Sequence, residues 1–161
     1  MNAPRLARTV ATAVAVTMIA GSAFAFDPQS TAPVNINPDG YMLQGFDPVA
    51  YFSVGEPTEG DSAFTAEFGG ATYRFASADS RDAFVADPEQ FIPAYGGFCA
   101  LAMSYGQKVD IDPAAWRIVD DRLYVQANPR AKEVWDRDVP GNIEKADINW
   151  PNVKDKAPAD L

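Results

Sequence analysis

Residues Phe64 to Cys99 read FTAEFGGATYRFASADSRDAFVADPEQFIPAYGGFC, and this stretch decides the fold. Phe64 to Phe68 and Ala71 to Ala76 alternate aromatic with small or polar residues around Gly69-Gly70. That pattern predicts a β-hairpin whose turn uses positive φ, with Phe64, Tyr73 and Phe75 on the core face. Ser77 stands where a helix N-cap belongs, and Asp79 in the first turn complements the positive end of the helix dipole. Phe84 and Val85 supply the buried side of that helix. Asp87-Pro88-Glu89-Gln90 starts a second helix, with Asp87 as cap, Pro88 at the first helical position and Gln90 placed to reach back. Phe91, Ile92 and Tyr95 form its packing face. Gly96-Gly97 breaks it, and Phe98 to Tyr105 (FCALAMSY) is apolar on nearly every side, which predicts a buried central helix that Gly106 ends.

Upstream, residues 26–40 (FDPQSTAPVNINPDG) are proline-punctuated and lack apolar periodicity, so they read as an extended tether or surface wrap. Asp47-Pro48 turns into a short strand at Val49 to Phe52, and Gly55 to Ser62 is a polar loop. Downstream, Asp112-Pro113 makes a turn, and Trp116 to Val119 pairs with Leu123 to Gln126 across Asp120-Asp121-Arg122. Asn128-Pro129 caps a helix carrying Ala131, Val134 and Trp135. Pro140 opens another through Ile143, Ala146 and Ile148, closing at Trp150-Pro151. Residues 154–161 read as a charged, flexible tail. No repeat is visible beyond the two hairpins. Hairpins and short helices without strand-helix alternation define an α+β fold of small antiparallel hairpins packed with helices.

Residues 1–25 fall outside that fold. Arg5 and Arg8 precede an uncharged run from Thr9 to Phe26 that ends at Ala23-Phe24-Ala25. A basic start, an apolar middle and a small-x-small tripeptide make a cleavable secretory signal, so the expected location is periplasmic or secreted, with no stable membrane insertion after cleavage. The run approaches the length of about 20 residues that a spanning anchor needs, which is the competing reading. A net charge of −9 sets the chain against phosphate backbones and anionic lipid, so nucleic acid is not an expected partner. The chain has no histidine and a single cysteine, Cys99. Histidine-based triads, imidazole metal sites and an internal disulfide are therefore excluded, and a non-enzymatic role is the expectation.

The hairpin and helix EFGGATYRFASADSRDAFVADPEQF resemble a YHS domain. The flanking GFDPVAYF and the later YGGFCALAMSYGQKVDIDPAAWRIVDDRLYV and VWDRDVPGNIEKADINWP resemble the exported single-domain branch of that family. The resemblance spans Tyr41 to Val153, and it implies a treble-clef-like core and a role in binding soft metals such as copper through cysteines. At the position of the family's Asp-Pro-Val-Cys cysteine this chain has Ala50. Its Phe-Cys-Ser-x-x-Cys sequence is replaced by Phe75-Ala76-Ser77-Ala78-Asp79-Ser80, and the histidine of the family name falls at about Gly69. A structural thiolate site needs about four N or S ligands, and Ala50, Ala76 and Ser80 supply none. The resemblance therefore implies a degenerate member that binds no metal in the family's manner.

Several residues remain as site candidates, each with a plainer reading. Cys99 and Met103 lie four apart on the third apolar helix, and with Met42 they form a candidate Cu(I) set. Cysteine and methionine are also ordinary core residues, the favoured account in so apolar a segment. A redox role for the Cys99 thiol needs exposure and a nearby cation, and Lys108 is the one close in sequence. Asp110 and Asp112 in VDIDP lack the further oxygens and glycine of a calcium loop and read as a turn with a helix cap. Gly96-Gly97 lacks the glycines and lysine of a phosphate loop and reads as a turn. Trp116, Trp135, Trp150 and the tyrosines are core anchors first. If Tyr95 and Trp116 instead line a cleft with Cys99 and Met103, the natural guest is a small apolar or aromatic ligand. The expected place is a groove between the first hairpin and the C-terminal helices. The leading expectation is an exported binding or accessory module for a small ligand or an exported protein partner, with no cofactor and with copper handling as the alternative.

Overall fold

A computed structural model describes residues 26–161; the secretory signal read at 1–25 lies outside the described residues. Two antiparallel hairpins and six α-helices give the α+β architecture expected. β1 (Asp61–Phe68) and β2 (Ala71–Phe75) turn through Gly69 and Gly70, both at positive φ. β3 (Asp112–Val119) and β4 (Arg122–Gln126) turn through Asp120 and Asp121 at φ 48° and 58°, a conformation aspartate tolerates because its short side chain bonds locally. β3 starts at Asp112, four residues earlier than expected, because the Asp112 carboxylate accepts the Ala114 N–H and leads the chain directly into the strand.

The strand expected at Val49 to Phe52 is a helix, α1 (Ala50–Ser53). Asp47 Oδ1 accepts the Val49 N–H at 2.8 Å, so Asp-Pro here starts a helix in the way such caps do. α2 (Ala78–Ala86) is capped by Ser77 Oγ from the Ser80 N–H, and it buries Phe84 while leaving Val85 60% exposed, against the expectation for Val85. α3 (Pro88–Phe91) is shorter than predicted, and the Asp87 side chain makes no cap. Ile92 is held extended (φ −65°, ψ 140°) because Pro93 follows it. The apolar run predicted as a helix from Phe98 contains only α4 (Ala100–Ser104), since Cys99 serves as its N-cap and Gly106 ends it at φ 76°. α5 (Pro129–Trp135) is capped by Asn128 as expected. α6 (Val139–Val153) is capped by Asp138, one turn-position earlier than Pro140, and continues past Pro151.

The chain runs through one arrangement twice, which the sequence did not disclose. Ala66 pairs with Tyr73 and Phe68 with Ala71 in the first hairpin; Arg117 pairs with Tyr124 and Val119 with Arg122 in the second. Both hairpins slip register at the same place, between Asp61 and Thr65 and between Asp112 and Trp116. The parallel bridge Tyr41 to Thr72 recurs as Pro93 to Leu123. A left-handed turn at Leu43-Gln44-Gly45 (φ 53°, 57°, 86°) recurs as Tyr95-Gly96-Gly97 (φ 53°, 59°, 77°). The Asp47 N–H bonds Thr58 O, and the Cys99 N–H bonds Val109 O. Phe84 on α2 and Trp135 on α5 then fill matching core positions, each fully buried.

The halves build two adjoining cores. One holds Met42, Tyr51, Phe75, Phe84, Cys99 and Val125; the other holds Tyr95, Met103, Tyr124, Trp135 and Ala146. Residues 154–161, expected to fray, are tied down. The buried Lys108 Nζ donates to Ala32 O, Lys154 O and Lys156 O, the Ala159 N–H bonds Pro28 O, and Val153 and Ala157 are buried. An ammonium at the carbonyl end of α6 complements the negative end of its dipole and ties residues 26–40 to the C-terminal segment through Ala32. Among the described residues no helix is long and apolar enough to cross a membrane.

Candidate ligand-binding site

Ala50, Ala76 and Ser80 are brought together around a residue that the sequence reading treated only as a turn, Asp47. Its carboxylate is 1% exposed. Oδ1 accepts the Val49 N–H, and Oδ2 accepts the Ala76 N–H at 2.9 Å and the Ser80 Oγ–H. Ala50 is buried on α1 beside it. Asp47 thus joins α1, the end of β2 and α2. The sequence signal for this was Asp-Pro before an apolar run, which is a helix-start motif as well as a strand-entry turn.

Cys99 occupies the equivalent place in the second half. Its sulfur accepts the Ala102 N–H at 3.5 Å and donates to Gln126 Oε1 at 3.6 Å. Burial pushes the thiol up from its ordinary pKa, against backbone N–H groups that pull it down. A protonated, capped, 1%-exposed sulfur is a core cysteine in its surroundings. Met42 shares its core, with Sδ packed over Gly97, whereas Met103 lies fully buried in the second core. The fold therefore distributes the three sulfurs between two cores. Among the described residues no group of three or more histidine, cysteine, aspartate or glutamate side chains is arranged to hold a metal ion.

Tyr95 and Trp116 are likewise separated. Tyr95 is 2% exposed in the second core, donates its hydroxyl to Asp147 Oδ1 at 2.9 Å and stacks near Tyr124 and Trp150. Burial, reinforced by that aspartate, raises its phenol well above the tyrosine range. Trp116 stands edge-on to Tyr51 at 5.2 Å against the first core.

A cleft of about 560 Å³ opens elsewhere, beneath the N-terminal segment. Phe26, Pro28, Val34, Ile36, Pro38 and Phe98 supply its apolar wall; Asp27, Ser30, Asn35 and Asn37 supply the polar groups. The segment is fixed by Asn35, whose N–H bonds Gly96 O at 2.8 Å and whose Nδ2 donates to Gly97 O and to Asp110 Oδ1. The same Asp110 oxygen accepts from Gln44 Nε2 at 2.8 Å, so a residue read as part of a simple turn joins the segment to the first half. Gly96 makes the approach feasible: a Cβ there would lie 1.9 Å from Pro33 O. Phe98 packs edge-on with Phe26 and tilted against Trp150, and Lys108 Nζ lies 5.1 Å over its ring.

The polar groups of the wall differ in what remains open to a guest. Asp27 Oδ1 accepts Gln29 N–H, Ser30 Oγ accepts Ala32 N–H, and Asn37 Oδ1 accepts Asp39 and Tyr41 N–H. Asn35 Oδ1, on a residue only 4% exposed, has no hydrogen-bond partner but is enclosed by protein rather than open to the cleft. An apolar concavity rimmed by a few polar side chains has the make-up of a small-molecule site.

Compared against family models, curated proteins and solved structures, the chain matches none of them.

Proposed function

We propose that this chain is an exported, YHS-like binding module that takes a small, largely apolar molecule in the cleft between the N-terminal segment and Phe98. The observation that carries the reading is the cleft itself: about 560 Å³, walled by Phe26, Val34, Ile36 and two prolines of the segment and by Phe98. The secretory layout of residues 1–25 supports release outside the cytoplasm, where a soluble carrier or sensor of such molecules would work. The YHS-like core supports it as a scaffold: a Gly-Gly hairpin, a serine-capped helix and a buried aromatic cluster, with Asp47 bonding Ala76 and Ser80.

Equilibrium dialysis of the full chain against neutral aromatics of one and two rings tests the proposal. The expected result is saturable one-to-one binding that Ile36→Trp, which fills the cleft, removes without unfolding the protein. Absence of saturable binding across the panel, or binding that survives Ile36→Trp, would overturn it.

A further inference from the structure

Resting on that reading, we infer that Lys108 is a positioning residue of the cleft and that the C-terminal segment it holds controls occupancy: a guest in the cleft and the docked residues 154–161 hold each other in place. Of the ten residues that line the cleft, nine belong to residues 26–38 and only Phe98 to the body of the fold. The shape of the cleft is therefore set by what holds that segment down. Asn35 fixes its second part through Gly96, Gly97 and Asp110. Its first part is tied differently: Pro28 O accepts the Ala159 N–H at 2.9 Å, and Ala32 O accepts from Lys108 Nζ at 3.0 Å. Both ties lead to the C-terminal segment.

Lys108 makes the two ties act as one. An ammonium has three N–H donors, and this one directs them to Ala32 O, Lys154 O and Lys156 O while lying 5.1 Å over the ring of Phe98. The residue is 3% exposed. Were residues 154–161 to leave, the buried charge would lose two of its three acceptors, a cost it escapes only by turning out to water. Ala32 O and the Phe98 ring then lose the ammonium, and Pro28 O loses Ala159 at the same moment. Phe26, Pro28 and Ser30, one side of the cleft, are left resting on the edge contact of Phe26 with Phe98. A guest that touches both sides of the cleft binds the docked state better than the undocked one. By linkage it stabilises the docked tail as much as the tail stabilises it. Among the described residues none of 154–161 lines the cleft, so the coupling runs through the N-terminal segment and not through contact with the guest.

Trypsin reads the tail in the full chain. Cleavage after Lys154 and Lys156 should outrun cleavage after Arg74 in β2, which needs the first hairpin to open. With indole at about ten times its dissociation constant, tail cleavage should slow about tenfold, because a guest that binds only the docked state lowers the open population by that factor. In Ile36→Trp, whose cleft is filled, indole should change nothing. In Lys108→Met, checked for folding by circular dichroism, the tail should be cut faster and bound indole should slow it by less than about twofold. Should that variant not fold, Ala159→Pro, at an exposed position, cuts the other tie and should weaken the effect in the same sense. Tail cleavage indifferent to bound indole, or no faster than cleavage after Arg74, would overturn the inference and leave the cleft as a binding site. Full slowing that persists in Lys108→Met would overturn it too. No binding of indole by wild type would sink the inference and count against the proposed function as well.

Discussion

Replacing Asp47 with alanine tests whether one buried carboxylate holds α1, the end of β2 and α2 together. The buried side chain accepts three hydrogen bonds, from Val49 N–H, Ala76 N–H and Ser80 Oγ–H. Val49 is buried, so its orphaned N–H costs about 1–3 kcal/mol. Ala76 is exposed and Ser80 half-buried, so water recovers much of their bonding and each loss is nearer about 1 kcal/mol. The sum is about 3–5 kcal/mol, a large part of the roughly 5–15 kcal/mol that holds a domain folded. With a urea dependence of about 1.5 kcal/mol per M, the unfolding midpoint should fall by about 2–3 M. Ser80→Ala should cost about 1 kcal/mol alone and less in the Asp47→Ala background, since the two share one bond. A loss under about 1 kcal/mol for Asp47→Ala, or full additivity with Ser80→Ala, refutes the account.

Four further perturbations probe the rest of the molecule. Native Cys99 should resist a thiol reagent and react fully in denaturant, and labelling of the folded chain at the rate of a free thiol would contradict its place in the core. Lys108→Met strips three carbonyls of their donor, so trypsin should cut the folded variant faster after Lys154 and Lys156 than it cuts wild type. Gly96→Ala should cost more than about 1 kcal/mol, because alanine is strained at positive φ and its Cβ displaces Pro33; ligand affinity in the cleft should fall with it. Burial raises the Asp136 pKa less than Lys132 and Arg117 lower it, so its folded value lies below the ordinary 3.8. Its contribution is therefore present above that value and lost as pH falls through the folded one. Asp136→Asn should flatten the acid limb of a stability-pH curve by under about 1 kcal/mol, the pair being partly exposed.

The hairpins and helix starts were legible in the sequence because each rests on local chemistry. Gly69-Gly70, Ser77 before an acidic first turn and Asn128-Pro129 act within four residues, and the structure realises all three. The misreadings share a cause as well. Asp47-Pro48 starts a helix because Asp47 finds Ala76 and Ser80 across the fold, partners that no window around Val49 contains. The tail reads as charged and loose because its anchor, Lys108, is distant in sequence and works through backbone carbonyls rather than side chains. The cleft was invisible for the same reason: proline-rich residues 26–40 look like a tether until Asn35 meets Gly96, Gly97 and Asp110.

The duplicated arrangement explains why the cleft lies where it does. At matching points the halves share a left-handed turn, but its middle residue is Gln44 in the first and Gly96 in the second. The missing side chain at Gly96 lets the backbone of Pro33 lie against the turn, where a Cβ would collide. Gln44, in the other half, instead extends its amide to Asp110, the carboxylate that also fixes Asn35. One half thus gives up a side chain to admit the segment, and the other contributes a side chain to brace it. The caps diverge in parallel. Asp47 holds the first half with a charged acceptor, whereas Cys99 holds the second with a neutral sulfur that also packs into the apolar core behind the cleft. A charge at Cys99 would sit in that core without a cation, so Cys99→Asp should unfold the chain although Asp47 is stabilising at the corresponding point. Circular dichroism of a folded Cys99→Asp variant with native stability would show that the two caps are interchangeable and that the halves have not specialised.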